Sequence, residues 1–116
     1  MLTLADSVRY FLYREKTDMR KGFDGLCGLV REKLLREPLS GEVFIFFSRN
    51  KNQVKLLLWE GDGFSLYSKR LEKGTYEIPA ANAASIEIKA DQLLFILKGI
   101  RLDSVKKRER FSFTSK

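Results

Sequence analysis

The sequence contains no histidine. Without an imidazole there is no Ser-His or Cys-His nucleophile pair, no histidine general base and no histidine-ligated metal. Cysteine is nearly as scarce. The single Cys27 allows neither an internal disulfide nor a cysteine-cluster zinc site, and it points to a reduced, intracellular setting. Only two prolines occur in 116 residues. No apolar run approaches the ~20 residues that a membrane-crossing helix needs. The opening stretch, Met1 to Ser7, lacks the basic flank and long apolar core of a secretory signal, so a soluble, cytoplasmic protein without a membrane partner is expected.

What is present is globular in character: 44% hydrophobic, 12% aromatic and 32% charged residues. A chain this long buries one modest core. The net charge is +7, and it is unevenly placed. From residue 98 onward, Lys98, Arg101, Lys106, Lys107, Arg108, Arg110 and Lys116 meet only Asp103 and Glu109, so +5 of the +7 falls in the last nineteen residues. We therefore read residues 1–97 as a single domain and 98–116 as a basic C-terminal tail. A tail of this kind suits a polyanion, most commonly nucleic acid, although a merely solubilising tail has the same composition.

The hydrophobic pattern predicts an α+β fold. Val8 to Tyr13 is β-branched and aromatic, as a first strand should be. Thr17 and Asp18 suit a helix start, and Phe23, Leu26, Cys27, Val30 and Leu34 then recur at helical spacing up to Pro38. Gly22, Gly25 and Gly28 weaken that helix, and the expected return is a close approach of its backbone to a sheet or an irregular first turn. Strands are predicted at 42–48, 53–60 and 64–71, joined by turns short enough for an antiparallel meander. Residues 76–78 are a candidate extension of the sheet, 85–89 alternate like an edge strand, and Asp91 is expected to cap a short helix over 92–98 stopped by Gly99. The expected architecture is an antiparallel meander sheet of four to five strands, with one main amphipathic helix on one face and a short C-terminal helix. The central strands are apolar on both sides, so both faces want cover.

Four regions could carry chemistry. At Asp18–Gly25, Arg20 and Lys21 precede a helix start where free N–H groups would favour a phosphate; alternatively Asp18 caps the helix and pairs with Arg20 or Lys21. Glu60 and Asp62 lie in a Gly-flanked hairpin and could ligate Mg²⁺ if a further carboxylate such as Asp18, Asp24 or Asp91 approached, the nuclease reading using Asp24; an Asp in such a turn usually bonds backbone. Lys55, Lys69, Arg70 and Lys73 fall on or beside the last meander strands, after a turn that holds Arg49 and Lys51, with Trp59, Tyr67 and Tyr76 interleaved as in a sheet that binds single-stranded nucleic acid. Simple alternation, with aromatics in the core and cations outside, explains the same pattern. In the tail, Lys106, Lys107, Arg108 and Arg110 have no folding role that the sequence suggests. No catalytic residue, cofactor or resident metal is expected.

Two of these segments resemble a known family. Asp18 to Leu26 is similar to the N-terminal signature of TnpB, a small accessory protein of bacterial insertion-sequence family sixty-six, and Lys55 to Gly74 is similar to its longer signature. Between them, Ser40-Gly41 followed by an aromatic strand and a basic turn also matches, and the resemblance extends over roughly residues 8 to 100. Glu60 stands where the family commonly has Asp, and Ile78 where it often has Trp. The resemblance implies a part in transposition beside a separate, larger transposase that carries the catalytic acids. It supplies a process and no mechanism. The mechanism must come from the residues: Arg20, Lys21, Arg49, Lys51, Lys69, Arg70, Lys73 and the 106–110 cluster meeting phosphates of element DNA, with Trp59 and Tyr67 on a surface for the transposase. Two other readings are a protein-only assembly factor and a carboxylate-metal nuclease.

Overall fold

The computed structural model describes residues 5–98. Five strands form one sheet in the order β4-β3-β2-β1-β5: β1 Tyr10–Lys16, β2 Val43–Phe47, β3 Gln53–Trp59, β4 Phe64–Arg70 and β5 Ser85–Ile88. The meander β2-β3-β4 is antiparallel, as expected, and β5 pairs antiparallel with β1. β1 and β2 run parallel, pairing Tyr10 with Val43 and Leu12 with Ile45. A helix lies between these two strands in sequence, and a crossover of that kind returns the chain to the end of the sheet where it started. The architecture is thus α+β with a mostly antiparallel sheet.

Strand alternation builds two cores, one on each face. Tyr10, Leu12, Val43, Ile45, Phe47, Val54 and Leu56 point to one side, where the helix α2 (Ala90–Leu97) covers them with Leu93 and Ile96. Phe11, Tyr13, Phe44, Phe46 and Leu57 point to the other, under the helix α1 (Phe23–Leu29) and its continuation, through Leu26, Cys27, Val30 and Leu34. All five residues of β2 are buried, which explains a strand of unbroken apolar character. Each such side chain contributes roughly 1.5–3 kcal/mol on leaving water.

The long helix of the sequence reading begins later and ends differently. α1 starts at Phe23, with Gly22 at its N-cap and no capping side chain; Asp18 is not the cap. Asp18 instead accepts the Arg20 backbone N–H at 2.9 Å, which turns the chain before the helix. Beyond Leu29 a π-helical turn, Val30–Leu34, closes on Leu35 in left-handed conformation (φ 57°), with the Arg36 N–H ending on Val30 O at 3.1 Å. The glycines do not bring the helix against the sheet either. A Cβ at Gly25 would press on the Lys21 side chain at 3.0 Å, whereas Gly22 and Gly28 have open space.

Residues 76–78 form no strand. Tyr76 nevertheless enters the core, 2% exposed and 5.7 Å from Phe47 ring to ring, so the 71–84 connection helps cover the α2 face. α2 begins at Ala90 with Lys89 as N-cap, and Asp91 sits in its first turn with its carboxylate accepting from Gln92 N–H. Gly99 lies outside the described residues.

Candidate nucleic-acid interface

The parallel pairing of β1 with β2 decides where the cations go. Both strands finish at the same end of the sheet, where β3 starts and β4 finishes. Three connecting segments therefore meet there: 17–22 after β1, 48–52 between β2 and β3, and 71–76 after β4. Backbone hydrogen bonds tie them together. Thr17 N–H donates to Phe47 O at 2.9 Å, Leu71 N–H to Asn52 O at 2.7 Å and Tyr76 N–H to Lys51 O at 2.7 Å. Lys55, on the α1 face of β3, donates its ammonium to Met19 O at 2.7 Å and Lys21 O at 3.1 Å, pinning the loop that leads into α1.

This end gathers Lys16, Arg20, Lys21, Arg49, Lys51, Lys55, Lys69, Arg70 and Lys73, with Asp18 and Glu72 as the acids in the same segments. Arg20 is engaged: its guanidinium donates to both Asp18 oxygens, the closest contact being 2.8 Å, and this holds the Asp18 carboxyl well below the usual carboxylate range. The local pairing of the sequence reading is thus what forms, although Arg20 stays 91% exposed. Lys21, Arg49, Lys51, Lys69, Arg70 and Lys73 take part in no ion pair among the described residues. Lys51 also holds a left-handed backbone, φ 60°, in a tight turn. So the structure brings six of the seven expected cations of the domain to one end without an internal carboxylate. The remaining four, Lys106, Lys107, Arg108 and Arg110, lie outside the described residues. Sequence reasoning missed Lys16, which the parallel strand delivers to this end; Lys55, which it counted among the cations of the meander strands, is instead spent on the carbonyls of Met19 and Lys21.

The aromatics are placed differently. Trp59 ends β3 at the opposite end of the sheet, on the α1 face, with Phe64 4.9 Å away ring to ring and Phe23 stacked on Phe64 at 5.9 Å. Tyr67 lies on the α2 face, partly buried against that core. The expected surface combining Trp59 and Tyr67 does not form, because odd spacing between paired strands puts them on opposite faces: Tyr67 pairs with Leu56, and Trp59 with Phe64. Nor do the carboxylates of the hairpin converge with Asp24. Glu60 accepts a hydrogen bond from the Ser65 hydroxyl, and no group of three or more His, Cys, Asp or Glu among the described residues could hold a metal ion. No helix among the described residues is long and apolar enough to cross a membrane.

Comparison with known proteins adds what geometry cannot. Two proteins of Sinorhizobium fredii (strain NBRC 101917 / NGR234) are similar along nearly their whole length. "Uncharacterized protein y4hO" is 37% identical over 100 residues, covering 86% of this chain and 87% of the relative. "Uncharacterized protein y4jC" is 25% identical over 108 residues, covering 93% and 92%. No solved structure matches. The family model described as IS66 Orf2 like protein matches residues 8–107, which includes both signature segments and the whole cationic end, and the chain accordingly belongs to the IS66 Orf2-like family, accessory proteins of that insertion sequence.

Proposed function

We propose that the protein serves IS66 transposition as a DNA-binding accessory protein with no catalysis of its own, contacting element DNA through the cationic end of its sheet. The observation that carries this reading is the gathering of Lys21, Arg49, Lys51, Lys69, Arg70 and Lys73 at one end with no internal ion pair, on loops stitched together by backbone hydrogen bonds. Cations that serve stability alone gain most by pairing with carboxylates. Six left open in one place suit an external row of phosphates. Arg20 adds its charge through the exposed side of its pair, and the sequence supplies four more cations at Lys106, Lys107, Arg108 and Arg110.

Engagement of about five phosphates gives a log-log salt slope near −4.5 on duplex DNA. The experiment is an anisotropy titration of a labelled duplex between about 50 and 200 mM salt, with the full chain and with a chain ending at Ile100. Expected is strong salt dependence in both and weaker affinity in the shorter chain. Affinity indifferent to salt, or absent at the low end, overturns the reading.

A second surface favours a protein partner as well. Leu35 and Leu39 are 81% and 48% exposed beside the end of α1, two large apolar side chains that the chain's own core does not use. We assign them to the separate transposase of the element. Co-purification that survives nuclease treatment and is lost on Leu35→Asp tests that contact.

A further inference from the structure

The two edges of the sheet are unequal. β5 is four residues long, and its Glu87 is fixed to Arg9 by two hydrogen bonds of 2.9 Å. β4 is seven residues long and meets no further strand on its outer side among the described residues. Short, charge-tied edges resist pairing, whereas long ones invite it.

Which groups β4 presents follows from its register. Glu60 N–H bonds Gly63 O at 2.9 Å and Leu71 N–H bonds Asn52 O at 2.7 Å, so the hydrogen-bonded pairs of the β3–β4 ladder are those of Ser65, Tyr67 and Lys69. The N–H and C=O groups of Phe64, Leu66, Ser68 and Arg70 therefore point outward. Their side chains lie on the α1 face, and those of Ser65, Tyr67 and Lys69 on the α2 face.

We propose that β4 pairs antiparallel with β4 of a second copy of this chain, about a two-fold axis at Tyr67, joining two five-stranded sheets into one. The strand is complementary to itself in this register. Phe64 meets Arg70 of the second copy and Leu66 meets Ser68, which forms about eight backbone hydrogen bonds over the full strand length. On the α1 face, Arg70 of one copy comes over the half-buried rings of Phe64 and Trp59 of the other, a cation–π arrangement. On the α2 face, Lys69 of one copy comes opposite Ser65 of the other, whose hydroxyl is bonded to Glu60, so each Lys69 gains a carboxylate. No like charges face each other. An isologous contact of this kind closes at two copies.

The test is sedimentation of the full chain, free of DNA, across a concentration series. A reversible monomer–dimer equilibrium is expected. Ser68→Pro removes a donor that points outward and none that serves the β3–β4 ladder, so it should yield a folded monomer by far-UV circular dichroism. Lys69→Glu places two carboxylates opposite each other at both symmetric contacts and should weaken the dimer about tenfold. Glu60→Lys combined with Lys69→Glu should restore it. A wild-type monomer at every concentration overturns the proposal. So does a dimer that withstands both Ser68→Pro and Lys69→Glu, or a double variant no tighter than Lys69→Glu alone.

Discussion

The two ends of the sheet hold similar charged residues and treat them in opposite ways. At the end where β2 begins, Arg36 and Arg9 are consumed. Arg36 donates twice to Glu42, at 2.9 and 2.8 Å, and its guanidinium lies 3.9 Å over the Phe11 ring. Arg9 donates twice to Glu87, and its guanidinium lies 5.0 Å from the centre of the same ring. At the end where β2 finishes, six cations have no carboxylate among the described residues. The paired end uses charge to close the rim of the α1-side core. The open end leaves charge available, and a chain whose domain carries little net charge still presents a concentrated positive surface. Position in the fold, more than composition, separates paired from unpaired cations here.

The largest expected effect breaks the open end. Arg49→Ala, Lys51→Ala and Lys73→Ala together should reduce affinity for duplex DNA about a hundredfold and make the salt slope shallower by about 3, with thermal stability preserved because none of the three is paired or buried. Arg9→Ala, at the paired end, should leave both affinity and slope unchanged. Anisotropy on the two variants side by side reads the contrast directly, and equal losses would erase the distinction between the ends.

The paired end breaks through stability instead. The Glu42 side chain is only 15% exposed and accepts from Arg36 and from Ser40, so Glu42→Ala strands a half-buried guanidinium and should cost about 1–3 kcal/mol in urea unfolding, with DNA affinity intact. The hydrogen bonds from Arg36, before any other influence, hold the Glu42 carboxyl below its ordinary value of 4.5. Because the folded value is the lower one, the stabilisation is fully present above about pH 4.5 and is lost as pH falls through the folded value. Glu87, bonded by Arg9, shifts the same way. The urea midpoint should therefore fall on acidification below pH 4.5, and Glu42→Gln should flatten that fall. A midpoint whose pH dependence is identical in the variant would remove Glu42 from the account.

How much of this was legible beforehand depends on whether the signal was local. The meander strands were, within a residue at each end, because alternation and the two short turns are both written in consecutive residues. Two long signatures, Asp18 to Leu26 and Lys55 to Gly74, made the family legible as well. The start of α1 was not, since a residue suited to capping, Asp18, spends its carboxylate on Arg20. The parallel pairing of β1 with β2 had a signal in the helix between them, but the dominant antiparallel pattern masked it. That single pairing is what carries Lys16 and the 17–22 loop to the same end as Lys51 and Arg70, so the basic residues were legible as candidates and their convergence was not. Trp59 and Tyr67 show the converse: they are eight apart in sequence on neighbouring strands, yet they face opposite sides because register, not distance along the chain, assigns faces.

The smallest effect sharpens the comparison most, because it separates stability from binding at one residue. Lys51 holds φ 60°, a conformation that costs a residue with a Cβ about 1 kcal/mol and costs glycine almost nothing. Its carbonyl accepts the Tyr76 N–H and its amide donates to Ser48 O at 3.0 Å, so the backbone is held by contacts that any residue could make. Only the ammonium is particular to lysine. Lys51→Gly should keep those contacts, raise stability by somewhat less than about 1 kcal/mol because the unfolded chain also gains freedom, and lower the DNA salt slope by about 1. At the paired end no substitution should do both, since there the charge and the stability are the same interaction. A Lys51→Gly variant that lost stability, or that bound DNA with an unchanged slope, would show that this turn is shaped for something other than presenting its charge.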